Sequence, residues 1–291
     1  MLSATDRYSR DFQQNLVMRD CEFVRLSEYI HTNFGIRMPD SKKTMLEARL
    51  QKRLRYLGMT SFEEYCRYVF SDEGIRSELV QMIDVVTTNK TDFFREPGHF
   101  DYLTSEAVPE LMRSRGVGVR TPLRVWSAGC STGEEPYTLA MILSEFARSE
   151  PILFSIFATD ISTRVLEKAR GAIYEADKVA PIPEVLKKRY LMRSKDPGRE
   201  VVRIVPELRN LVSFERLNFM DEDFDIRERF DIIFCRNVII YFDRQTQEKL
   251  LNKFSRHLVK GGYVFMGHSE TLNGLDVPLT MVHPTVYRKL T

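Results

Sequence analysis

LRVWSAGCSTGEEPY, residues 123–137, contains the turn on which the fold reading depends. An apolar run ends in Gly129, a second glycine follows at Gly133, and EEPYTLAMILSEFARS then repeats its apolar residues at helical spacing. Strand, glycine turn and helix in that order outline a loop that holds a cofactor. The loop has neither the G-x-x-x-x-G-K-[ST] spacing nor the lysine of a phosphate loop, and it lacks the G-x-G-x-x-G fingerprint. Glu134 and Glu135 stand there instead. The dipole of the coming helix stabilises two such acids by roughly 0.3–1 kcal/mol each, but the acids would repel a phosphate. A ligand that is neutral or cationic where it meets the loop is expected.

The same rhythm continues outward. FSIFATD reads as a second strand and STRVLEKARGA as its helix. LVSFERLNF and FDIIFCRN read as strands three and four, TQEKLLNKFSRHL as a helix and YVFMGHSE as a fifth strand. MVHPTVYRKL supplies a closing antiparallel hairpin. Strands alternating with helices predict an α/β, Rossmann-like, largely parallel sheet whose ligands bind beyond the strands' carboxyl ends. Asp160, ending strand two, lies about 20 or more residues after the glycine loop, where an acid commonly accepts the ribose hydroxyls of an adenosine. It reads equally as a helix N-cap. Loop and aspartate together favour a phosphate-free nucleoside bearing positive charge, and S-adenosylmethionine fits.

Three further stretches carry candidate residues. FDIIFCRNVIIYF runs Arg236 and Asn237 into the end of a buried strand, where burial is costly without partners. They and Tyr241 line a cleft, or else Arg236 is ion-paired and Tyr241 is core. Asn218, in RLNF, holds the comparable position one strand over. TTNKTDFFRE, residues 87–96, mixes Asn89 and Thr91 with Phe93, Phe94 and Arg95. It is expected to fold back over the cofactor with Arg95 towards the substrate; a hydrophobic staple would explain the phenylalanines but not the arginine.

The chain of 291 residues is 43% hydrophobic and 29% charged, enough for a sizeable core. Its net charge of +2 gives no case for nucleic acid. No apolar run is long enough to span a bilayer and no leader pattern opens the chain, so a cytoplasmic protein without membrane insertion is expected. Four scattered cysteines and five scattered histidines predict neither a metal site nor a disulfide framework. Cys130 and Cys235 are weighed as nucleophiles against small apolar residues beside a cofactor, and the second reading is preferred. Residues 1–20 read as a polar lead-in and 21–86 as a helical domain. Its elements are FVRLSEYIHTNF, ended by Gly35, a helix capped by Asp40 or Ser41 and ended by Gly58, and two more in SFEEYCRYVF and SELVQMIDVVTT. Residues 87–100 form a linker contributing to the active site, and 101–291 the sheet domain, with a small antiparallel β-subdomain at 190–214.

VTTNKTDFFRE, WSAGCSTGEEPY, FATDIS, RLNF, FCRNVIIYF and a final GHSE, in this order, resemble the bacterial chemotaxis receptor methyltransferases, the CheR family. The resemblance runs from about residue 21 to 289 and implies a class I S-adenosylmethionine-dependent methyltransferase domain behind a small all-helical domain. It implies methyl transfer to glutamates on the signalling helices of chemoreceptors. Carried over position by position, it implies cofactor contacts from Asn89, Thr91, Arg95, Glu135, Asp160, Asn218, Phe219, Arg236 and Asn237, with Arg95 and Tyr241 nearest the transferred methyl. Phe219 stands where a smaller aliphatic residue is expected, and Gly129–Cys130 where some relatives carry alanines.

The helical domain suits such a substrate. Leu46, Leu50, Leu54 and Leu57 share one helical stripe, and Lys42, Arg49, Lys52 and Arg53 gather beside it. Residues 37–55 hold seven Lys or Arg against two acids, and docking of Glu-rich receptor helices is weighed against a solvated face. Some members of the family use the β-subdomain to bind a receptor C-terminal peptide by strand addition; here the hairpin reads equally as structural. A monomer is expected. The alternatives are a class I methyltransferase of another substrate and a non-catalytic, cofactor-binding receptor adaptor.

Overall fold

A computed structural model describes residues 16–196 and 198–290. The chain divides between Thr87 and Thr88 into two compact units. Most of the predicted lead-in, residues 1–15, lies outside the described residues.

The first unit is helical. Asp20–Phe34 buries Phe23, Leu26, Ile30 and Phe34, and Gly35 ends it in a left-handed conformation. Lys43–Leu57 buries the leucine stripe at Leu46, Leu50 and Leu54 and ends at Gly58. Asp40 and Ser41 do not cap it. They form a 3-10 turn, Asp40–Lys42, that leads into the helix with no side-chain cap. Phe62–Val69 starts on Ser61, whose hydroxyl accepts the Glu64 amide. The remaining stretch holds two helices, Asp72–Ser77 and Leu79–Val86, with the buried Glu78 at their junction.

In the second unit Gly98–Tyr102, a π turn at Leu103–Ala107 and Val108–Arg115 form one helical run that sequence reasoning left unassigned. Pro109 has no N–H to give the preceding turn, and the run widens just before it. The strands follow as β1 (Leu123–Ala128), β2 (Phe154–Asp160), β3 (Ile173–Glu175), β4 (Leu191–Arg193) and β5 (Val201–Ile204). Then come β6 (Val212–Arg216), β7 (Phe230–Cys235), β8 (Leu258–Met266), β9 (Thr280–His283) and β10 (Val286–Arg288).

Seven of them form one sheet in the order β6-β2-β1-β7-β8-β10-β9. β6, β2, β1, β7 and β8 are parallel, while β10 and β9 close the edge antiparallel. The chain steps outward from β1 to β2 and β6, then returns to place β7 on the other side of β1. The order therefore reverses between β1 and β7, whose carboxyl ends carry Gly129 and Arg236. β7 is buried at all six positions, as a central parallel strand with helices over both faces requires. Among the described residues no helix is long and apolar enough to cross a membrane.

The small sheet, β3-β5-β4, is antiparallel. It differs from the predicted 190–214 in two ways. It recruits Ile173–Glu175, only three residues and too short to show an alternating pattern, and it stops at Ile204. Residues 212–214 belong to the large sheet, where β6 pairs with β2. The predicted linker also begins its life in this unit: residues from Thr88 onward cluster with the sheet, and the helix at Gly98 already belongs to it.

Candidate active site

Gly129 and Gly133 take left-handed conformations, at φ 84° and 95°. A Cβ on Gly129 would lie 2.5 Å from Val238 Cγ2, and one on Gly133 would lie 2.8 Å from the Tyr174 hydroxyl. Both positions therefore exclude a side chain on space as well as on backbone conformation. The amides of Gly129 and Cys130 both donate to the Thr159 carbonyl, which folds the loop over the end of β2. Ser131 lies between the glycines at φ 49°, a conformation an L-residue adopts at a cost of roughly 1–2 kcal/mol. Two bonds hold it there: its amide donates to Asp160 Oδ2 at 2.9 Å, and its hydroxyl donates to the Asn89 carbonyl at 2.9 Å.

Asp160 also accepts the Ser162 amide through Oδ1, at 3.0 Å. The residue that caps the next helix is Ser162, whose hydroxyl accepts the Val165 amide. Asp160 is thus not the N-cap that one reading of the sequence made it. It is a buried carboxylate joining the ends of β1 and β2.

The two acids after Gly133 open the helix Glu134–Ser149. Thr132 Oγ1 donates to Glu134 at 2.6 Å, and Ser127 Oγ donates to Glu135 Oε1 at 2.7 Å. Burial raises both carboxyl pKa values; for Glu135 the Arg236 guanidinium, 3.5 Å away, and the Ser127 hydroxyl pull the other way. Cys130 and Cys235 are fully buried and their thiols are pushed well above the ordinary range, so they pack as small apolar groups and not as thiolate nucleophiles.

Residues 88–96 lie against this loop. Beyond the Asn89–Ser131 bond, the Phe94 amide donates to Thr138 Oγ1 at 3.2 Å, and Lys178 donates to the Thr91 carbonyl and to Asp92. Phe93 is buried with its ring edge-on to Tyr174, and the Tyr174 hydroxyl donates to the Thr132 carbonyl. Tyr174, on the small sheet, so links that sheet to the glycine loop. Arg95 is 39% exposed at its side chain, with loose partners at the Lys90 carbonyl (3.5 Å) and Glu96 (3.9 Å).

Arg236 is different. Only 2% of its side chain is exposed; it pairs with Glu96 at 3.1 Å and Glu135 at 3.5 Å, donates to the Arg95 carbonyl and lies over the Phe100 ring. The two readings of its position merge: it is ion-paired at a strand terminus, and it bridges the helix of Glu135 to the segment of Arg95. Asn237 follows at φ 58° and Tyr241, partly buried, ends a 3-10 turn at Ile239–Tyr241. Asn218 turns the chain after β6 through its side-chain oxygen, which accepts the Met220 amide. The Phe219 ring packs on Phe224 and Phe254, and its carbonyl accepts Lys253, so the larger side chain is absorbed by an aromatic cluster.

The structure thus joins Asn89 with Asp160 through Ser131, and Arg95 with Glu135 through Arg236. It also shows residues given no role from sequence. Glu96 sits inside DFFRE and Glu270 inside GHSE, yet neither stretch marks which acid is buried. Glu270 accepts four backbone amides. His99, buried, shares its Nε2 with Thr285 Oγ1 at 2.7 Å, and desolvation together with Arg236 pushes it down to about 4. Among the described residues Glu96, His99 and His268 could offer three metal ligands within 4.8 Å of one another. The Arg236 guanidinium already occupies the Glu96 carboxylate, which opposes a second cation there.

In the helical unit the predicted basic face divides. Arg53 is turned inward onto Glu78, a carboxylate 2% exposed that also accepts the Tyr65 hydroxyl. Arg49 donates to the Val86 and Thr87 carbonyls at the end of the last helix. Both residues therefore have partners within the fold while staying part-exposed; a helical wheel counts charge and does not see a buried acid on a neighbouring helix. Lys52 is exposed, and Lys42, half-buried on the 3-10 turn, reaches the Arg37 carbonyl at 3.5 Å.

Residues 89–288 match the family model described as CheR methyltransferase, SAM binding domain, and residues 22–87 match that of the CheR methyltransferase all-alpha domain. The chain is 41% identical over 280 residues to the chemotaxis protein methyltransferase of Borreliella burgdorferi, covering 96% of this chain and 97% of that one. It is 40% identical over 274 residues to the chemotaxis protein methyltransferase of Escherichia coli, covering 94% and 92%. It is also 39% identical over 266 residues to chemotaxis protein methyltransferase 2 of Pseudomonas aeruginosa, covering 91% and 92%.

Proposed function

The chain belongs to the CheR methyltransferase family, and from that premise we propose that it esterifies glutamate side chains on the cytoplasmic signalling helices of chemoreceptors, using S-adenosylmethionine. The observation that carries the cofactor reading is the charge balance of the loop. Glu134 and Asp160 are buried and Glu135 is partly buried around Gly129–Gly133, beside the buried cation Arg236. A cradle with surplus negative charge and no room for a Cβ fits a cationic nucleoside and repels a phosphate.

In this reading Asp160 and Asn218 hold the adenosine, Glu135 takes the ammonium end, and Asn89, Thr91, Phe219 and Asn237 close on it through side chain or backbone. When bound, the cofactor supplies a methyl carbon on a positively charged sulfur, to which a carboxylate oxygen adds as the carbon–sulfur bond breaks. The residues of the chain then have little acid–base work. A glutamate with an ordinary pKa near 4.3 is already ionised at neutral pH, so alignment and exclusion of water carry the rate. Arg95, half-exposed and loosely partnered, holds the incoming carboxylate by charge-assisted hydrogen bonds. Tyr241 orients the reacting groups from the loop after β7.

Lys52 on the exposed face of its helix, with the neighbouring Arg55, offers positive charge to Glu-rich receptor helices. The edge strand β4 would accept a receptor C-terminal peptide by strand addition, which a titration with such peptides tests. A cytoplasmic monomer suits all of these roles. The deciding experiment compares binding of S-adenosylmethionine, ATP and NAD by calorimetry, then follows labelled methyl transfer to a receptor cytoplasmic fragment. Micromolar binding of S-adenosylmethionine with alkali-labile labelling supports the reading. Binding of a phosphorylated nucleotide, or alkali-stable labelling, overturns it.

A further inference from the structure

β7 and β8 are parallel neighbours, paired to their ends at Cys235 and Met266, so the two loops that leave them start side by side. The β7 loop carries Arg236, Asn237 and Tyr241. The β8 loop carries Glu270, 4% exposed, which reaches across. Its Oε2 accepts the amides of Asn237 at 2.8 Å and Gly267 at 2.6 Å, and its Oε1 accepts those of Val238 at 2.8 Å and Ile239 at 2.9 Å. Three successive amides of the β7 loop thus point at one side chain, the concave arrangement by which backbone binds an anion. The clamp begins at Asn237, held at φ 58°, and ends in the 3-10 turn whose last residue is Tyr241. Gly267 completes it: a Cβ there would lie 2.5 Å from Asn237 Nδ2.

We propose that Glu270 is a positioning residue for methyl transfer: its carboxylate sets the loop conformation that places Asn237 at the cofactor and Tyr241 at the reacting carbon. The inference rests on the proposed roles of those two residues. Only a carboxylate can accept at both oxygens from all four partners, because every one of them is a donor. In Glu270→Gln one oxygen becomes an NH2 group, and either the Gly267–Asn237 pair or the Val238–Ile239 pair of amides faces a donor. Misplacement by about 1 Å costs on the order of 100-fold in rate.

The test is a double-mutant cycle of Glu270→Gln and Tyr241→Phe, reading kcat for methyl transfer to a receptor fragment, cofactor affinity and Tm. The expected result is a kcat loss of about 10- to 100-fold for Glu270→Gln that largely disappears when Tyr241 is already Phe, since a residue acting through another is not additive with it. Glu270→Asp, which keeps the charge but withdraws it, should retain more activity than Glu270→Gln. Additive losses, or wild-type kcat in a folded Glu270→Gln, overturn the proposal. So does unfolding with both substitutions, which would make Glu270 a residue of the fold alone. Failure of the wild-type protein to bind S-adenosylmethionine or to label the fragment would instead strike the functional reading beneath it.

Discussion

The amide of Ser131 donates to Asp160 Oδ2 at 2.9 Å, which ties the left-handed residue at the centre of the glycine loop to the end of the neighbouring strand. An acid read from sequence as a ribose acceptor is therefore also a structural partner of the loop.

Asp160→Ala should consequently fail twice. Two buried amides, of Ser131 and Ser162, lose their acceptor, at about 1–3 kcal/mol each. Loss of the contacts to the ribose should weaken S-adenosylmethionine binding by about 100-fold, on the same scale for charge-assisted bonds. Calorimetry measures the second effect and a denaturant titration the first. Unchanged affinity in a folded Asp160→Ala would remove Asp160 from the cofactor site.

Arg95→Ala tests the substrate side separately. Among the described residues its side chain is ion-paired only loosely, with Glu96 at 3.9 Å, so substitution should leave Tm within a degree or two, in keeping with surface changes of at most about 0.5 kcal/mol. Methyl transfer should fall by about 100-fold as the carboxylate loses its alignment. Arg95→Lys should recover only part of it, because an ammonium lacks the planar fork. Transfer that persists in Arg95→Ala would show that another group holds the glutamate.

How far the sequence reached can be read from these residues. The main strands of the large sheet and their largely parallel arrangement were legible because β1, β2 and β7 each combine an apolar run with a helix of clear period. The glycine loop was legible because its residue types are dictated by backbone geometry at Gly129 and Gly133. Partnership over long range was not. Arg236 reads the same in sequence whether it faces a ligand or is locked between Glu96 and Glu135, residues 140 and 101 positions away. Glu270 and His99 carry no local signal, since their roles come from strands that meet only in the folded sheet. Ile173–Glu175 was missed because three residues cannot show alternation.

His99 should make stability acid-sensitive. It is buried neutral, with its pKa pushed down to about 4 by desolvation and by Arg236, against an ordinary 6.5. In the unfolded chain it binds a proton below about pH 6.5, whereas in the folded chain it does so only below about pH 4. Between those values the unfolded state holds more protons, so stability falls as pH falls. The contribution amounts to about 2 kcal/mol between pH 7.5 and pH 5, or about a 30-fold change in the unfolding equilibrium. Urea titrations at the two pH values should show a smaller difference in His99→Asn than in wild type; an equal difference would mean that His99 is protonated in the native state.

The helical unit gives the sharpest separation of fold from function, because Lys52 and Arg53 are adjacent in sequence and opposite in environment. Arg53 bonds the buried Glu78 in two places, through Nε and Nη2. Arg53→Glu would set two carboxylates face to face, and breaking a buried pair costs about 3–5 kcal/mol. Circular dichroism should then show loss of the first unit's helices, so any fall in receptor methylation would say nothing about docking. Lys52→Glu, with Arg55→Glu beside it, changes charge at exposed positions and should leave the helices intact. Reversed charge at a docking rim acts mainly on association, so the KM for a receptor fragment should rise several-fold and its salt dependence weaken, with cofactor affinity unchanged. Receptor kinetics identical to wild type in that double variant would return this helix face to the status of a solvated surface.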